Sequence, residues 1–201
     1  IGNVGTMSNS GVELDLSYRD NYGDFSWNIS ANATYTKNVL TELGDDATSL
    51  YGSSHKIGQL TRGIVGLPFP YFYGHKSDGI FQNAEEVAAH VNKDVNLLQP
   101  NAQPGDVRFL DVDGDGDIDD DDRTYIGKGT PDWSFGLNVG FEWKGIDFNM
   151  LLQGVVGNQA FNVTRRTDLY YINLPKTILN RWTGEGTSNT QPRFMFDSPN
   201  N

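Results

Sequence analysis

The sequence predicts an all-β protein that forms part of a transmembrane antiparallel β-barrel. Hydrophobicity alternates with a period of two in two paired segments, residues about 11–36 and 133–156, as in strands with one apolar and one polar face. A short turn joins the strands of each pair, whereas long irregular stretches, residues about 38–131 and 157–201, lie outside the pairs. Outer-membrane barrels have this combination of short turns at one end and long loops at the other. Because four strands cannot close a barrel, we expect the chain to be a fragment of one.

The first predicted hairpin has strands of about ten residues on either side of the turn at Asp20–Asp24. Its apolar positions are Val12, Leu14, Leu16 and Tyr18, followed by Phe25, Trp27, Ile29, Ala31, Ala33 and Tyr35. The residues between them are polar or charged, so each strand is predicted to have one face toward lipid and one toward a wet lumen.

The stretch of about ninety residues after Val39 is far longer than an ordinary connection, which indicates a functional outer loop. Short strands are predicted at residues 78–81 and 106–110. Asn83 and Glu86 have the spacing of a helix N-cap and its third residue, and Val87, Val91 and Val95 continue a helical spacing.

The second predicted hairpin turns at Lys144-Gly145. Aromatic residues flank both ends of the two hairpins, as in the aromatic girdles of a membrane barrel. Phe25, Trp143 and Phe148 lie near the short turns, while Tyr35 and Trp133 lie at the opposite ends. A soluble β-sandwich also has alternating strands, but its strands are usually shorter. A short helix is predicted between residues 168 and 182.

An EF-hand-like metal loop is predicted in the aspartate-rich segment 111–122. Asp111, Asp113 and Asp115 match the first three ligand positions of the calcium-loop pattern, and Gly116 falls at its sharp turn. Asp117 would contribute its backbone carbonyl, Asp119 a direct or water-bridged contact, and Asp122 the closing carboxylate. We expect a structural Ca²⁺, or alternatively Mg²⁺, because the closing residue is the shorter Asp. A solvated acidic turn is the alternative.

Composition excludes several classes of function. The chain of 201 residues has a net charge of −11, with much of the acidity in the metal loop, and this argues against binding to nucleic acid. Cysteine is absent, which excludes disulfides and thiol chemistry. The three histidines have no metal-ligand spacing and no nucleophile motif is present, so we do not expect an enzyme. The first residue is Ile1, from which we expect an internal or processed piece.

Several motifs together resemble the SusC/RagA family of TonB-linked outer-membrane transporters. They are Asn9-Ser-Gly-Val-Glu-Leu14, Tyr73-Gly74, Asp78-Gly-Ile-Phe81, Pro104-Gly-Asp106, the acidic loop, Ile126-Gly127, Pro131-Asp132, Trp143-Lys-Gly145, Gln153-Gly154, Gly157-Asn158, Arg181-Trp-Thr183 and Pro192-Arg193. The resemblance implies import of oligosaccharides or peptides across the outer membrane of a Gram-negative, Bacteroidetes-type bacterium. It also implies a SusD-like surface lipoprotein as a lid, and a TonB complex that contacts parts absent from this chain. The chain would be a carboxy-terminal portion of the barrel.

A secreted, calcium-stabilised β-sheet module that binds glycans is the alternative function. Aromatic residues in the loops could stack on sugars in either case. The candidates are Tyr71, Phe72, Tyr73, Tyr170, Tyr171 and Trp182.

Overall fold

The computed structural model describes residues 4–44, 47–54, 58–162 and 173–195, and in these ranges the chain is mostly β-structure. The strands are β1 (Gly5–Tyr22), β2 (Phe25–Leu43), β3 (Leu50–Ser54), β4 (Gly58–Gly63), β5 (Tyr71–Gly74), β6 (Ser77–Ile80), β7 (Val107–Phe109), β8 (Thr124–Lys128), β9 (Trp133–Trp143) and β10 (Ile146–Val156). One α-helix (α1, Ala84–Ala89) and two 3-10 helices, Asp120–Asp122 and Lys176–Asn180, accompany these strands in the described ranges. The predicted all-β class is therefore confirmed.

The strands form three sheets, with orders β1-β2-β9-β10, β3-β4-β5-β8 and β6-β7. The chain divides into two compact units, residues 1–72 with 127–160, and residues 73–126 with 161–201. Within the described ranges, no helix is both long enough and apolar enough to cross a bilayer.

The large sheet of the first unit keeps the alternating residues of all four strands in register. Ile29 of β2 lies opposite both Tyr18 of β1 and Val139 of β9, and Val139 also pairs with Met150 of β10. Because side chains alternate across a strand, these residues share one face of the sheet. The other face carries mainly polar side chains, with Leu151 and Val155 among its apolar exceptions.

The apolar face of this sheet is exposed. Leu14, Leu16 and Leu152 are 55%, 60% and 51% exposed. The other large exposed side chains of this face are Val12, Tyr18, Phe25, Ile29, Trp133, Phe135, Trp143, Ile146, Phe148, Met150 and Val156. The described part of the chain leaves this face without a soluble protein's usual cover.

Strands β1 and β2 are longer than the alternation predicts, with 18 and 19 residues. At about 3.3 Å per residue they extend roughly 60 Å. The additional segments, residues 5–10 and 37–43, are largely polar and carry no apolar face, so a period of two does not reveal them. The 63–70 segment contacts the extended end of β2. The Asn38 side chain accepts a hydrogen bond from the Phe69 amide at 2.7 Å, and the Leu40 amide donates to the Leu67 carbonyl.

The hairpin turns are as short as the sequence predicts. Lys144 and Gly145 both have positive φ, 48° and 84°, and lie between the paired residues Trp143 and Ile146. This backbone matches the twist of the adjoining strands, and Gly145 adopts it without steric cost.

The second unit has a small core in which buried polar groups are as prominent as apolar ones. Ile80, Phe81 and Leu98 are buried together with Gln99, Asp106 and Asp122. The Gln99 side chain bonds to the β7 backbone, accepting from the Phe109 amide at 2.8 Å and donating to the Val107 carbonyl at 3.1 Å. The buried amide thus substitutes for a neighbouring strand.

The predicted cap of α1 is present, but the predicted continuation to Val95 is wrong. The Asn83 side chain accepts a hydrogen bond from the Glu86 amide at 2.9 Å, as expected for an N-cap. The helix nevertheless ends at Ala89, and Val95 has a φ of 65° and is 77% exposed. Asn92 explains the ending, because its side chain accepts hydrogen bonds from the amides of Asp94 and Asn96 and stabilises a turn instead.

Candidate functional site

The acidic loop of the second unit begins two residues after β7 and is organised by Asp111. Its carboxylate accepts hydrogen bonds from the Gly114 amide at 2.6 Å and the Gly116 amide at 3.0 Å. Both glycines have positive φ, 79° and 97°, a region that other residues rarely adopt. A Cβ on Gly116 would also lie 2.7 Å from the Asn92 amide nitrogen. The glycine predicted at the sharp turn is therefore required by both backbone and packing.

Three of the six predicted ligands come together. One carboxylate oxygen from each of Asp111, Asp113 and Asp115 lies within 4.8 Å of the others. The Asp115 backbone N–H lowers the pKa of Asp113, but partial desolvation and the charges of neighbouring aspartates outweigh it and raise that pKa above its ordinary value. Carboxylate oxygens are the ligands that Ca²⁺ and Mg²⁺ prefer, so the donor set fits a hard cation.

The other three predicted ligands make hydrogen bonds within the loop. The Asp117 carboxylate accepts from the Ile118 amide, and the Asp119 carboxylate caps the 3-10 helix by accepting from the Asp121 amide at 2.7 Å. Asp122 is 1% exposed, and its oxygens accept from the amides of Val112 at 2.6 Å and Asp119 at 3.0 Å. The ligand roles assigned to these residues stay predictions, and Asp122 would share oxygens already bonded to the backbone.

Asn92 is a second-unit residue that the sequence reasoning missed. Its side-chain amide donates to the Gly116 carbonyl at 2.9 Å, while its oxygen holds the 92–96 turn. The acidic loop is thereby tied to the segment after α1. The two partners are 24 residues apart, and no local pattern could have paired them.

A buried ion pair joins two motifs that the family resemblance involves but that sequence reasoning did not connect. Asp106 is fully buried, and Arg193 donates to its two oxygens from Nε at 2.6 Å and Nη2 at 3.0 Å. Asp106 also accepts from the Gln103 amide, and Arg193 also donates to the Gln103 side chain. Backbone bonds from the Phe81 amide to the Asp106 carbonyl and from the Arg193 amide to the Gly105 carbonyl complete the cluster.

Trp182 packs on the same cluster. A Cβ on Gly105, which has a φ of 92°, would collide with the Trp182 ring. The Trp182 Nε1 group is buried and has no hydrogen-bond partner among the described residues. This side chain therefore supports the 104–106 turn, and its predicted role in stacking on substrate stays a prediction.

The other predicted stacking residues divide between buried and undescribed positions. Tyr71 and Tyr73 are 2% and 9% exposed, and the Arg123 guanidinium lies 4.6 Å from the centre of the Tyr73 ring. A substrate would have to displace these neighbours to reach either ring, so burial argues against this assignment. Tyr170 and Tyr171 lie outside the described residues.

Comparison with known proteins confirms the resemblance to SusC/RagA-type TonB-dependent receptors. The chain is 30% identical over 198 residues to TonB-dependent receptor P3 of Formosa agariphila, a match that covers 96% of the chain and 19% of that receptor. It is 30% identical over 208 residues to TonB-dependent receptor P26 of the same organism, covering 98% of the chain and 20% of the receptor. TonB-dependent receptor SusC of Bacteroides thetaiotaomicron is 27% identical over 162 residues, a match that covers 79% of this chain and 15% of that receptor. No family model matches the chain.

Solved structures share the fold. The structure of the RagAB peptide transporter superposes with a TM-score of 0.67 at 24% identity, covering 98% of this chain and 21% of that one. The RagAB peptide importer in its open-open state gives a TM-score of 0.64 at 24% identity, covering 98% and 20%. The chain spans about a fifth of the length of the relatives P3 and P26. These relatives are named as receptors and transporters, and none of them as an enzyme.

Proposed function

We propose that this chain forms wall strands and outer loops of an outer-membrane, TonB-dependent importer. The observation that carries the proposal is the four-stranded antiparallel sheet with one exposed apolar face and one mainly polar face. A soluble protein rarely exposes so continuous an apolar face, whereas a membrane barrel presents such a face to lipid. Both outer strands, β1 and β10, are exposed along their length, and in a barrel they would pair with further strands.

The aromatic contacts at the two ends of the sheet also support a position across a bilayer. Near the short turns, Phe141 packs on Phe25 and Phe148, with ring centres 5.8 and 5.2 Å apart. At the opposite end, the rings of Tyr35 and Trp133 lie 5.0 Å apart. Rings of this kind suit the two interfaces of a bilayer.

The substrate class and partners follow from the resemblance. The imported molecule would be an oligosaccharide or a peptide, and the RagAB structures are described as those of a peptide transporter. A SusD-like lipoprotein would cover the outer loops, and the TonB complex would act on parts of the importer outside this chain. The location would be the outer membrane of a Bacteroidetes-type bacterium.

The acidic loop would hold a structural cation. Asp111, Asp113 and Asp115 would supply carboxylate oxygens, and the ion would remove the repulsion between them. The loop lies in the same unit as β7 and the 92–96 turn, to which it is bonded, so the ion would stiffen outer loops. Its role would be structural, outside the substrate path.

Lipid access at neighbouring positions tests the proposal. The chain has no cysteine, so Ile29→Cys and Ser30→Cys each place one label in this segment, after any cysteine in the rest of the full-length protein has been replaced. In the full-length protein in bilayers, a lipid-soluble quencher should reach a spin label or fluorophore at position 29 and not at position 30. Labels at Val139 and Asn138 on β9 repeat the comparison as matched controls, because these residues pair with Ile29 and Ser30.

Equal quenching at positions 29 and 30 would contradict the barrel and favour the secreted glycan-binding module. That module would also remain soluble without detergent, whereas the barrel segment would not.

A further inference from the structure

A shallow cavity of about 440 Å³ in the second unit, widely open to solvent, lies between the β5–β6 connection and β8. It is lined by His75, Lys76, Ser77, Tyr125 and Ile126. None of these five residues is acidic, although the chain as a whole has a net charge of −11. The five lining residues include neither the aspartates of the acidic loop nor the aromatic residues that the sequence suggested for substrate binding.

Three of the five lining residues, Lys76, Ser77 and His75, supply hydrogen-bond donors. Lys76 is exposed and makes no ion pair with the described residues, unlike Arg108 and Arg193 of the same unit, which are paired with carboxylates. Ser77 provides a hydroxyl group that can donate. Together, Lys76 and Ser77 offer one positive charge and one hydroxyl donor, with no competing carboxylate among the lining residues.

The third donor is the imidazole of His75. Its Nδ1 atom is buried and has no hydrogen-bond partner among the described residues. A buried N–H without an acceptor costs more than a buried lone pair, so the neutral ring carries its proton on Nε2. The Nε2–H group is therefore the donor that the ring can offer to a ligand.

The cavity wall is held in place by its neighbours. The His75 ring packs on Phe109, with centres 5.5 Å apart. The Lys76 carbonyl accepts a hydrogen bond from the Leu110 amide at 3.0 Å, and Ser77 pairs with Phe109 across the β6-β7 sheet. A Cβ on Gly74 would lie 3.1 Å from Ile126 Cδ1, which brings the connection close to β8. The backbone of residues 75–77 and the His75 ring are thus held in place without a ligand.

We propose that this cavity is a binding subsite for a carboxylate group of the imported molecule, with Lys76 as its charged contact and His75 and Ser77 as hydrogen-bond donors. Charge-assisted hydrogen bonds to a carboxylate are the strong interactions that such a donor set provides. The inference rests on the proposed import function for the source of the carboxylate, which is either an acidic sugar or an acidic peptide.

Binding to matched probes tests the subsite. Calorimetry on the full-length protein in detergent compares trigalacturonate with its methyl ester, and triglutamate with triglutamine. We expect at least one acidic probe to bind about tenfold more tightly than its neutral partner, and Lys76→Gln to reduce that affinity about fivefold to tenfold while leaving the neutral probe unchanged. The pair that responds identifies the source of the carboxylate.

Lys93→Gln is the matched control, because Lys93 is an exposed lysine of the same unit that does not line the cavity. Equal loss of affinity in Lys93→Gln would indicate a general surface field and overturn the subsite. So would a Lys76→Gln protein that binds acidic probes like the parent, or a parent that does not distinguish acidic from neutral probes. Ser77→Ala provides a second variant that keeps the charge and should weaken the acidic probe about threefold. The lipid-access test at positions 29 and 30 does not depend on any of these results, so the two proposals fail separately.

Discussion

Removing Arg193 should open the second unit locally without affecting the large sheet. Asp106 is fully buried and has two oxygen contacts to the Arg193 side chain. Deleting one partner of a buried ion pair costs about 3–5 kcal/mol, because the remaining charge is left without compensation. The Arg193 side chain keeps 19% exposure, so water can partly replace it. We therefore take the lower end, about 3 kcal/mol, which is roughly a 150-fold shift in a local opening equilibrium.

Hydrogen exchange measured by mass spectrometry on the full-length protein checks this magnitude. In Arg193→Ala, the amides of Phe81 and Gly105 should lose protection, because the hydrogen bond of each belongs to the Asp106 cluster. Peptides from β9 and β10 should exchange as in the parent. An increase below threefold at Phe81 and Gly105 would refute the assigned role of the ion pair, and an equal increase in β9 would indicate global unfolding instead.

A double variant separates charge from packing. Asp106→Asn with Arg193→Gln removes both charges and keeps groups that can hydrogen bond. If the loss in Arg193→Ala comes from the uncompensated Asp106 carboxylate, the double variant should recover more than half of it. A double variant as open as the single one would show that the loss comes from the geometry of the guanidinium.

Three further predictions concern the loop, the polar face of the sheet and pH. Asp113→Ala with Asp115→Ala should increase protease cleavage between Tyr51 and Thr130 and weaken docking of a lid lipoprotein, and chelation of the parent should mimic it. An ion present at about 100 times its Kd stabilises the loop by about 2.7 kcal/mol. If the double variant resists protease and binds the lipoprotein like the parent but fails in transport, the ion belongs to the substrate path instead. Gly140→Ala should destabilise the large sheet by about 1 kcal/mol, because its Cβ would lie 2.6 Å from Asn28 Oδ1 and that side chain would have to shift. The thermal midpoint of unfolding on gels should fall, and Asn28→Ser should restore it. Desolvation lowers the pKa of His90 below 6.5. The hydrogen bond to the Phe109 carbonyl and the charge of Asp78 raise this pKa, and the charge of Arg108 lowers it further. The folded state therefore disfavours the protonated ring, and stability should decrease as pH falls below about 6.5; exchange near His90 should rise between pH 7 and pH 5 in the parent and less in His90→Phe.

The large sheet could be predicted from the sequence because its determinant is local. Alternation at Val12–Tyr18 and Phe25–Tyr35 specifies both the strands and the face that each residue occupies. The extended ends of β1 and β2 have no such pattern, and their pairing depends on contacts such as that of Asn38 with the distant Phe69 amide. The sequence therefore indicates where an apolar face is needed, and not how far a strand continues beyond it.

The second unit was less predictable because its determinants are distant in sequence. The Asn83 cap is local and was predicted, whereas the end of α1 depends on an asparagine turn that competes with the helix. Asp106 and Arg193 are 87 residues apart, and each belongs to a short motif without local periodicity. The calcium-loop pattern likewise predicts six ligands from spacing alone, while Asp119 and Asp122 bond to backbone amides that the pattern does not describe.

The large sheet and the second unit depend on different kinds of side chain, apolar in the sheet and largely polar in the core of the second unit. The large sheet leaves the apolar groups of one face exposed, so these groups do not contribute to an interior core. Within the loop unit, Gln99, Asp106 and Asp122 are buried and each has at least two hydrogen bonds. Hydrogen bonds between fixed groups hold a surface in one geometry but fail together when one partner is lost. The second unit is therefore most sensitive at Arg193 and at the acidic loop, where loss of a partner would leave unpaired negative charge.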